Sequence, residues 1–152
     1  MKPKLRVLVD RREQSPYFSL GSCEVQQATL LTGDYSLPEH QNNVAIERKA
    51  PSDLVGCVTW ERDRFVRELE RSRSLQFFAI VAETSVDSIL EGKYWGKCHP
   101  NSVLQTIVSW CVKYGVPIWL AGSRQHGQLI TFSLLEKWQK YFAEEEEARK
   151  NH

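Results

Sequence analysis

The chain has 152 residues, 41% hydrophobic and 26% charged, a composition that suits one soluble domain with a sizeable core. A net charge of +1 excludes a global basic field, so contact with nucleic acid has to come from local clusters. No apolar run approaches the roughly 20 residues that span a bilayer, and the apolar segment after Lys2-Pro3-Lys4 is too short for a secretory signal; the expectation is an intracellular protein, cytoplasmic if bacterial or phage-encoded.

Residues 5–9 form a short β-prone run ending at Asp10, read as a central strand with Asp10 at its carboxyl end, where α/β proteins commonly place their sites. Residues 14–22, with Ser15-Pro16 and Gly21-Ser22, read as loop. Residues 23–31 alternate weakly and predict a second strand, after which Thr32-Gly33 turns the chain into Asp34. Tyr35 reads as a packing residue, and residues 40–43 as a polar hairpin tip feeding the next strand. The four cysteines, Cys23, Cys57, Cys98 and Cys111, show no Cys-x-x-Cys pair, which argues against a zinc site and for reduced thiols.

Val44, Ala45 and Ile46 read as a buried strand that runs into Glu47, Arg48 and Lys49. Strand alternation puts Glu47 and Lys49 on one face and Arg48 on the other. Asp34 and Glu47 offer hard oxygen ligands of the kind Mg²⁺ prefers, and Lys49 offers a point charge for a phosphate. Arg48 is expected to grip a neighbouring phosphate or to orient an acidic partner. Pro51 ends the strand and Ser52 is the expected N-cap of the helix that follows, with Asp53 in its first turn.

Residues 61–74 predict an amphipathic helix with Phe65, Val66 and Leu69 on its apolar stripe. Arg64, Arg67 and Arg71 share another face. They read either as a phosphate-tracking ridge or as a solvated face with pairs such as Asp63–Arg67 and Arg64–Glu68, the second being preferred for Arg67 and Arg71. Residues 77–81 predict a buried strand leading to Glu83, and residues 86–92 a short helix closed by Gly92. The loop at 93–101 carries Tyr94, Trp95, Lys97 and His99, aromatic and basic groups that could stack on bases but read first as packing. A second amphipathic helix is expected at 102–114, a last strand at 116–120, and a helix from about 128 to the tail, with Leu134, Leu135, Trp138, Tyr141 and Phe142 at helical spacing. Glu144 to Glu147 reads as a solvated helix end.

Three strings in this chain occur together in one known family. Val7-Leu8-Val9-Asp10-Arg11-Arg12-Glu13, Gly33-Asp34-Tyr35 and Glu47-Arg48-Lys49-Ala50-Pro51-Ser52-Asp53-Leu54 resemble, in order and spacing, the Val-Asp-x-Arg-Glu, Gly-Asp-Tyr/Phe and Glu-Arg-Lys-x-x-x-Asp-Leu boxes of the XPF/Hef family of structure-specific DNA nucleases, a branch of the PD-(D/E)XK superfamily. The resemblance covers residues 5–83 and implies a single nuclease domain over residues 1–152, with C-terminal helices at about 101–149. The implied fold is a restriction-endonuclease-like α/β three-layer sandwich, a mixed central sheet flanked by helices.

The resemblance further implies a Mg²⁺- or Mn²⁺-dependent endonuclease with Asp34, Glu47 and Lys49 at its centre. Asp10 and Glu13 join the acidic cluster as ligands or supports, Asp53 supports it, and Arg64 contacts DNA. The family usually has Gly-Arg where this chain has Asp63-Arg64. DNA is the implied partner, a homodimer is a further expectation, and the tandem helix-hairpin-helix modules of relatives are not expected in this length. The alternatives are a Holliday-junction resolvase or restriction-type endonuclease on the same scaffold, or a non-catalytic DNA-binding or dimer-partner domain.

Overall fold

The computed structural model describes residues 4–18, 23–92 and 98–151, so Tyr94, Trp95 and Lys97 lie outside the described residues. The described strands are β1 (Arg6–Asp10), β2 (Glu24–Ala28), β3 (Tyr35–Ser36), β4 (Val44–Lys49), β5 (Phe77–Ala82) and β6 (Ile118–Leu120). They form one mixed sheet in the order β2-β1-β3-β4-β5-β6. The β1–β3 and β3–β4 pairs are antiparallel and the other pairs parallel.

The helices are α1 (Pro51–Val58), α2 (Arg62–Arg71) with a 3-10 turn at Ser72–Ser74, α3 (Val86–Glu91), α4 (Pro100–Tyr114) and α5 (Arg124–Lys150). Residue parity on the strands divides the core in two. Ala45, Ile80 and Ala82 pack with Leu54, Phe65, Ile107 and Trp110, so α1, α2 and α4 cover one face. Val9, Tyr35, Ile46 and Val81 pack with Leu135 and Trp138, so α5 covers the other. This is the expected three-layer sandwich.

Several boundaries move for local reasons. The run at 23–31 keeps only five residues as strand, on an edge where most of its side chains face solvent. Proline opens α1 and α4 at their first turns, so Ala50 rather than Ser52 precedes α1, and α4 starts at Pro100. The last helix begins at Arg124, because the Ser123 hydroxyl accepts the His126 N–H at 3.1 Å and caps it. The acidic tail is not wholly solvated. Glu146 is buried, accepting from Asn43 Nδ2 and Arg149 Nη1, each at 3.0 Å.

Candidate active site

Three adjacent strands bring three carboxylates to one end of the sheet. The registers Val9–Tyr35 and Tyr35–Ile46 align β1, β3 and β4, and all three residues point into the α5-side core. Their neighbours Asp10, Asp34 and Glu47 therefore point to the opposite face. Backbone bonds lock this row: Asp10 N–H donates to the Asp34 carbonyl at 2.8 Å, and Asp34 N–H to the Ile46 carbonyl at 2.8 Å. Gly33 makes the close approach possible. Its φ is +82°, and a Cβ there would stand 2.8 Å from Ala45 Cβ.

On that face lies a pocket of about 290 Å³. Asp34, Glu47 and Lys49 line it, with Asp10 and Arg12 at one side and Arg64, Glu68 and Arg71 from α2 at the other. Lys49 Nζ is 3.1 Å from Glu47 Oε2 and lies 5.0 Å from the centre of the Phe65 ring. Asp34 Oδ2 accepts the backbone N–H of Arg48 at 2.8 Å.

The electrostatics are frustrated. Burial pushes the Asp34 carboxyl up to about 6, against the Arg48 N–H, with the charges of Glu13 and Glu68 adding to the rise. Glu47 is held well above the usual carboxylate range by burial first and then by the charges of Asp34 and Glu68. Burial alone would lower the pKa of Lys49, but Glu47 reverses that and the ammonium stays protonated. Of the other cations lining the pocket, Arg12 is taken by Asp10 and Arg64 by Glu61, so the buried carboxyls of Asp34 and Glu47 have Lys49 as their ion-pair partner, an imbalance that a divalent cation would relieve.

The donor set fits such an ion. Among the described residues no three acidic, histidine or cysteine side chains are disposed as a closed cage. Mg²⁺ asks for less, since it is held by one or two carboxylates and fills its shell with water and substrate oxygens. Asp34 and Glu47 could supply that pair.

A protein-family comparison decides the lineage of this arrangement: the ERCC4 domain model matches residues 9–134, a span that holds every residue lining the pocket. The chain belongs to the ERCC4 domain family. No curated protein matches its sequence. Among solved structures, XPF from Aeropyrum pernix in complex with DNA is similar at a TM-score of 0.71 and 23% identity, covering 90% of this chain and 66% of that one. XPF from Aeropyrum pernix in a second structure gives a TM-score of 0.70 at 24% identity, covering 93% and 69%. The chain thus spans about two thirds of the XPF chains it resembles. At these identities the likeness is one of fold, and the fold of this ERCC4 domain is restriction-endonuclease-like.

Within the ERCC4 domain the motif residues separate into two groups. Asp34, Glu47 and Lys49 share the pocket, and Arg64 stands at its rim, 70% exposed and paired with Glu61 at 2.8 Å. Asp10 borders the pocket, but its carboxylate is already engaged. It accepts Arg12 Nε at 2.8 Å and the Leu30 N–H at 3.0 Å, so of its two expected roles the geometry favours support over ligation.

Three expected assignments need correction. Arg48 does not face the pocket, because parity turns it to the α5 side. There its guanidinium donates to Glu83 at 3.0 and 3.3 Å and to the Ser15 carbonyl at 2.6 Å. A phosphate grip is thus replaced by the alternative of pairing with an acid. Glu13 lies on that side too, accepting from Tyr35 Oη at 2.8 Å, and joins the acidic cluster only through the reach of its charge. Asp53 is exposed in the first turn of α1 and does not line the pocket; its position at a helix start is sufficient reason for it.

Residues missed by the sequence reading include Arg12, Glu68 and Arg71. The first is 71% exposed and anchored by Asp10. Glu68 sets its charge beside Glu47 and lies 3.4 Å from the Gly33 nitrogen, where the sequence had paired it with Arg64. Arg71, exposed, lines the pocket as well, which suits the ridge reading that was not preferred for it. Arg64, Glu68 and Arg71 follow i, i+4, i+7 spacing, the signal that could have found them together.

Proposed function

We propose that this ERCC4 domain is a divalent-metal-dependent DNA endonuclease that hydrolyses phosphodiester bonds, with branched or structured DNA of repair or recombination as its substrate and Mg²⁺ or Mn²⁺ as its cofactor. The observation that carries the reading is the convergence of Asp34, Glu47 and Lys49 on one open pocket with arginines at its rim. The fold shared with an XPF solved in complex with DNA supports DNA as the partner.

Asp34 and Glu47 would hold the cation. When bound, it supplies Lewis-acid polarisation of the scissile phosphate and a lowered pKa for water. Lys49 contributes as a fixed positive charge. Its ammonium keeps its proton beside Glu47, so it acts as a hydrogen-bond donor to the charge developing on phosphorus-bound oxygen and not as a general base. The Phe65 ring beneath it restricts where Nζ can swing. Arg64 and Arg71 stand at the α2 rim, where they can hold phosphates flanking the cleaved bond. Water attacks phosphorus in line and gives a proton to solvent, while the bond to the ester oxygen breaks and that oxygen takes a proton from solvent, with no covalent enzyme intermediate.

Glu47→Gln tests this directly, since it keeps the side-chain volume and removes the ligand charge. A panel of flap, fork, four-way junction, linear duplex and single strand with Mg²⁺ or Mn²⁺ is expected to give cleavage by the wild type and none by the variant, with unchanged circular dichroism. EDTA is expected to stop the wild-type reaction. Full cleavage by Glu47→Gln, or cleavage that survives EDTA, would overturn the assignment.

A further inference from the structure

The turn between β2 and β3 holds one apolar side chain outward on a braced mount. Leu30 is buried; its N–H donates to Asp10 Oδ1 at 3.0 Å and its carbonyl accepts from Arg12 Nη2 at 2.8 Å. At the other end of the turn Gly33 is pressed against β4, and the Asp34 N–H is bonded to Ile46. Leu31, between these anchors, is 87% exposed.

Its position is what separates it from other exposed apolar residues. Single exposed leucines are ordinary on protein surfaces. Val112 and Leu129 are such cases, and neither borders the carboxylate pocket. Leu31 lines that pocket on one side. On the other it lines an adjoining groove of about 560 Å³, walled by Thr32, Gln41, Asn42 and Ser74. Arg71 lines both spaces as well. Leu31 is therefore a ridge between two concavities, with Arg71 shared by both and Arg12 fixed beside its mount.

A strand lying in the pocket and continuing into the groove has to pass over this ridge. Arg12 and Arg71 beside the ridge suit phosphates, Glu70 being the acid of the groove side, and an apolar tip on a braced backbone suits the face of a base. A continuously stacked duplex would collide with the tip, whereas a step already unstacked would receive it. Resting on the nuclease reading, we propose that Leu31 is a specificity-determining wedge. It stands against the base step beside the cleaved bond and disfavours DNA whose bases there are still paired. The discrimination comes from obstruction of the wrong substrate, because stacked DNA has to unstack before it can seat.

The test compares duplexes that differ only in one step, paired or mismatched, with 2-aminopurine placed in turn at each step across the junction. Binding in EDTA is expected to raise 2-aminopurine fluorescence at one step with the wild type. Leu31→Ala should abolish that rise, and Leu31→Phe should restore it. In Mg²⁺, the kcat/KM ratio of mismatched to paired DNA should fall about tenfold in Leu31→Ala and be kept in Leu31→Phe. An unchanged ratio with an unchanged fluorescence rise in Leu31→Ala would overturn the wedge while leaving the nuclease reading in place. A wild type that raises fluorescence yet cleaves no DNA would remove the nuclease reading and keep the wedge, and a wild type that binds no DNA would remove both.

Discussion

The two faces of β4 hold equally polar side chains in opposite states of satisfaction. On the α5 side Arg48 meets Glu83 through two hydrogen bonds, stacks over the Tyr17 ring at 4.6 Å and reaches the Ser15 carbonyl. The Tyr17 hydroxyl donates to the same glutamate. Gly127 of α5 leaves room for that pair, since a methyl group there would strike the hydroxyl. On the pocket side Glu47 faces Asp34 and Glu68, with Lys49 as its ion-pair partner. One strand, by residue parity alone, keeps a closed charge network that holds the sheet end in shape apart from an open one that needs a ligand.

The largest expected effect comes from opening the closed face. Glu83→Ala removes the closer of two carboxylates from a largely buried guanidinium, leaving Glu13 at 3.5 Å, and is expected to lower unfolding free energy by about 3 kcal/mol, measured by urea denaturation. Glu83→Gln keeps acceptors for Arg48 and should lose less. Equal losses in the two variants would mean that packing, not charge, is what the network supplies. On the open face the expectation inverts: Lys49→Ala should leave stability close to wild type while turnover falls by roughly 10²–10³ with KM within a few-fold. Loss of DNA binding without loss of turnover at saturating DNA would remove the transition-state role given to this lysine.

The division between faces was legible in part before any coordinates. Glu47 and Lys49 on one side and Arg48 on the other follow from strand periodicity, and the β-branched runs of β1, β4 and β5 marked the core strands. The three-layer architecture followed from the order of strands and helices and from the family motifs. What could not be read is what depends on a second element arriving. Glu68 and Arg71 enter the pocket only because α2 packs across β4 through Phe65 and Leu69. Glu83 becomes the partner of Arg48 only through the parallel β4–β5 register. Tyr35 shows the limit from the other side: its strand has two residues, too few for any periodicity, and it is placed by hydrogen bonds from both neighbours.

The smallest expected effect sharpens the contrast without removing a side chain from the pocket. The Asp34 carboxyl lies at about 6 in the fold, against 3.8 as its ordinary value, because burial disfavours its charge. In metal-free protein the native state therefore holds this proton more tightly than the unfolded chain does. A group raised in this way contributes stability that is fully present below about pH 4 and is lost as pH rises through about 6. Metal-free stability should accordingly fall on the order of 2 kcal/mol between pH 4 and pH 7 from this group, seen as a downward limb in urea midpoints. Asp34→Asn should make that limb shallower, because the amide carries no proton to lose, while Glu47, raised by burial as well, keeps its own part and Glu83 and Arg48 stay paired. A limb of the same depth in Asp34→Asn would take the raised carboxyl away from Asp34 and assign the pH dependence of the pocket face to Glu47, which burial also holds above the usual carboxylate range.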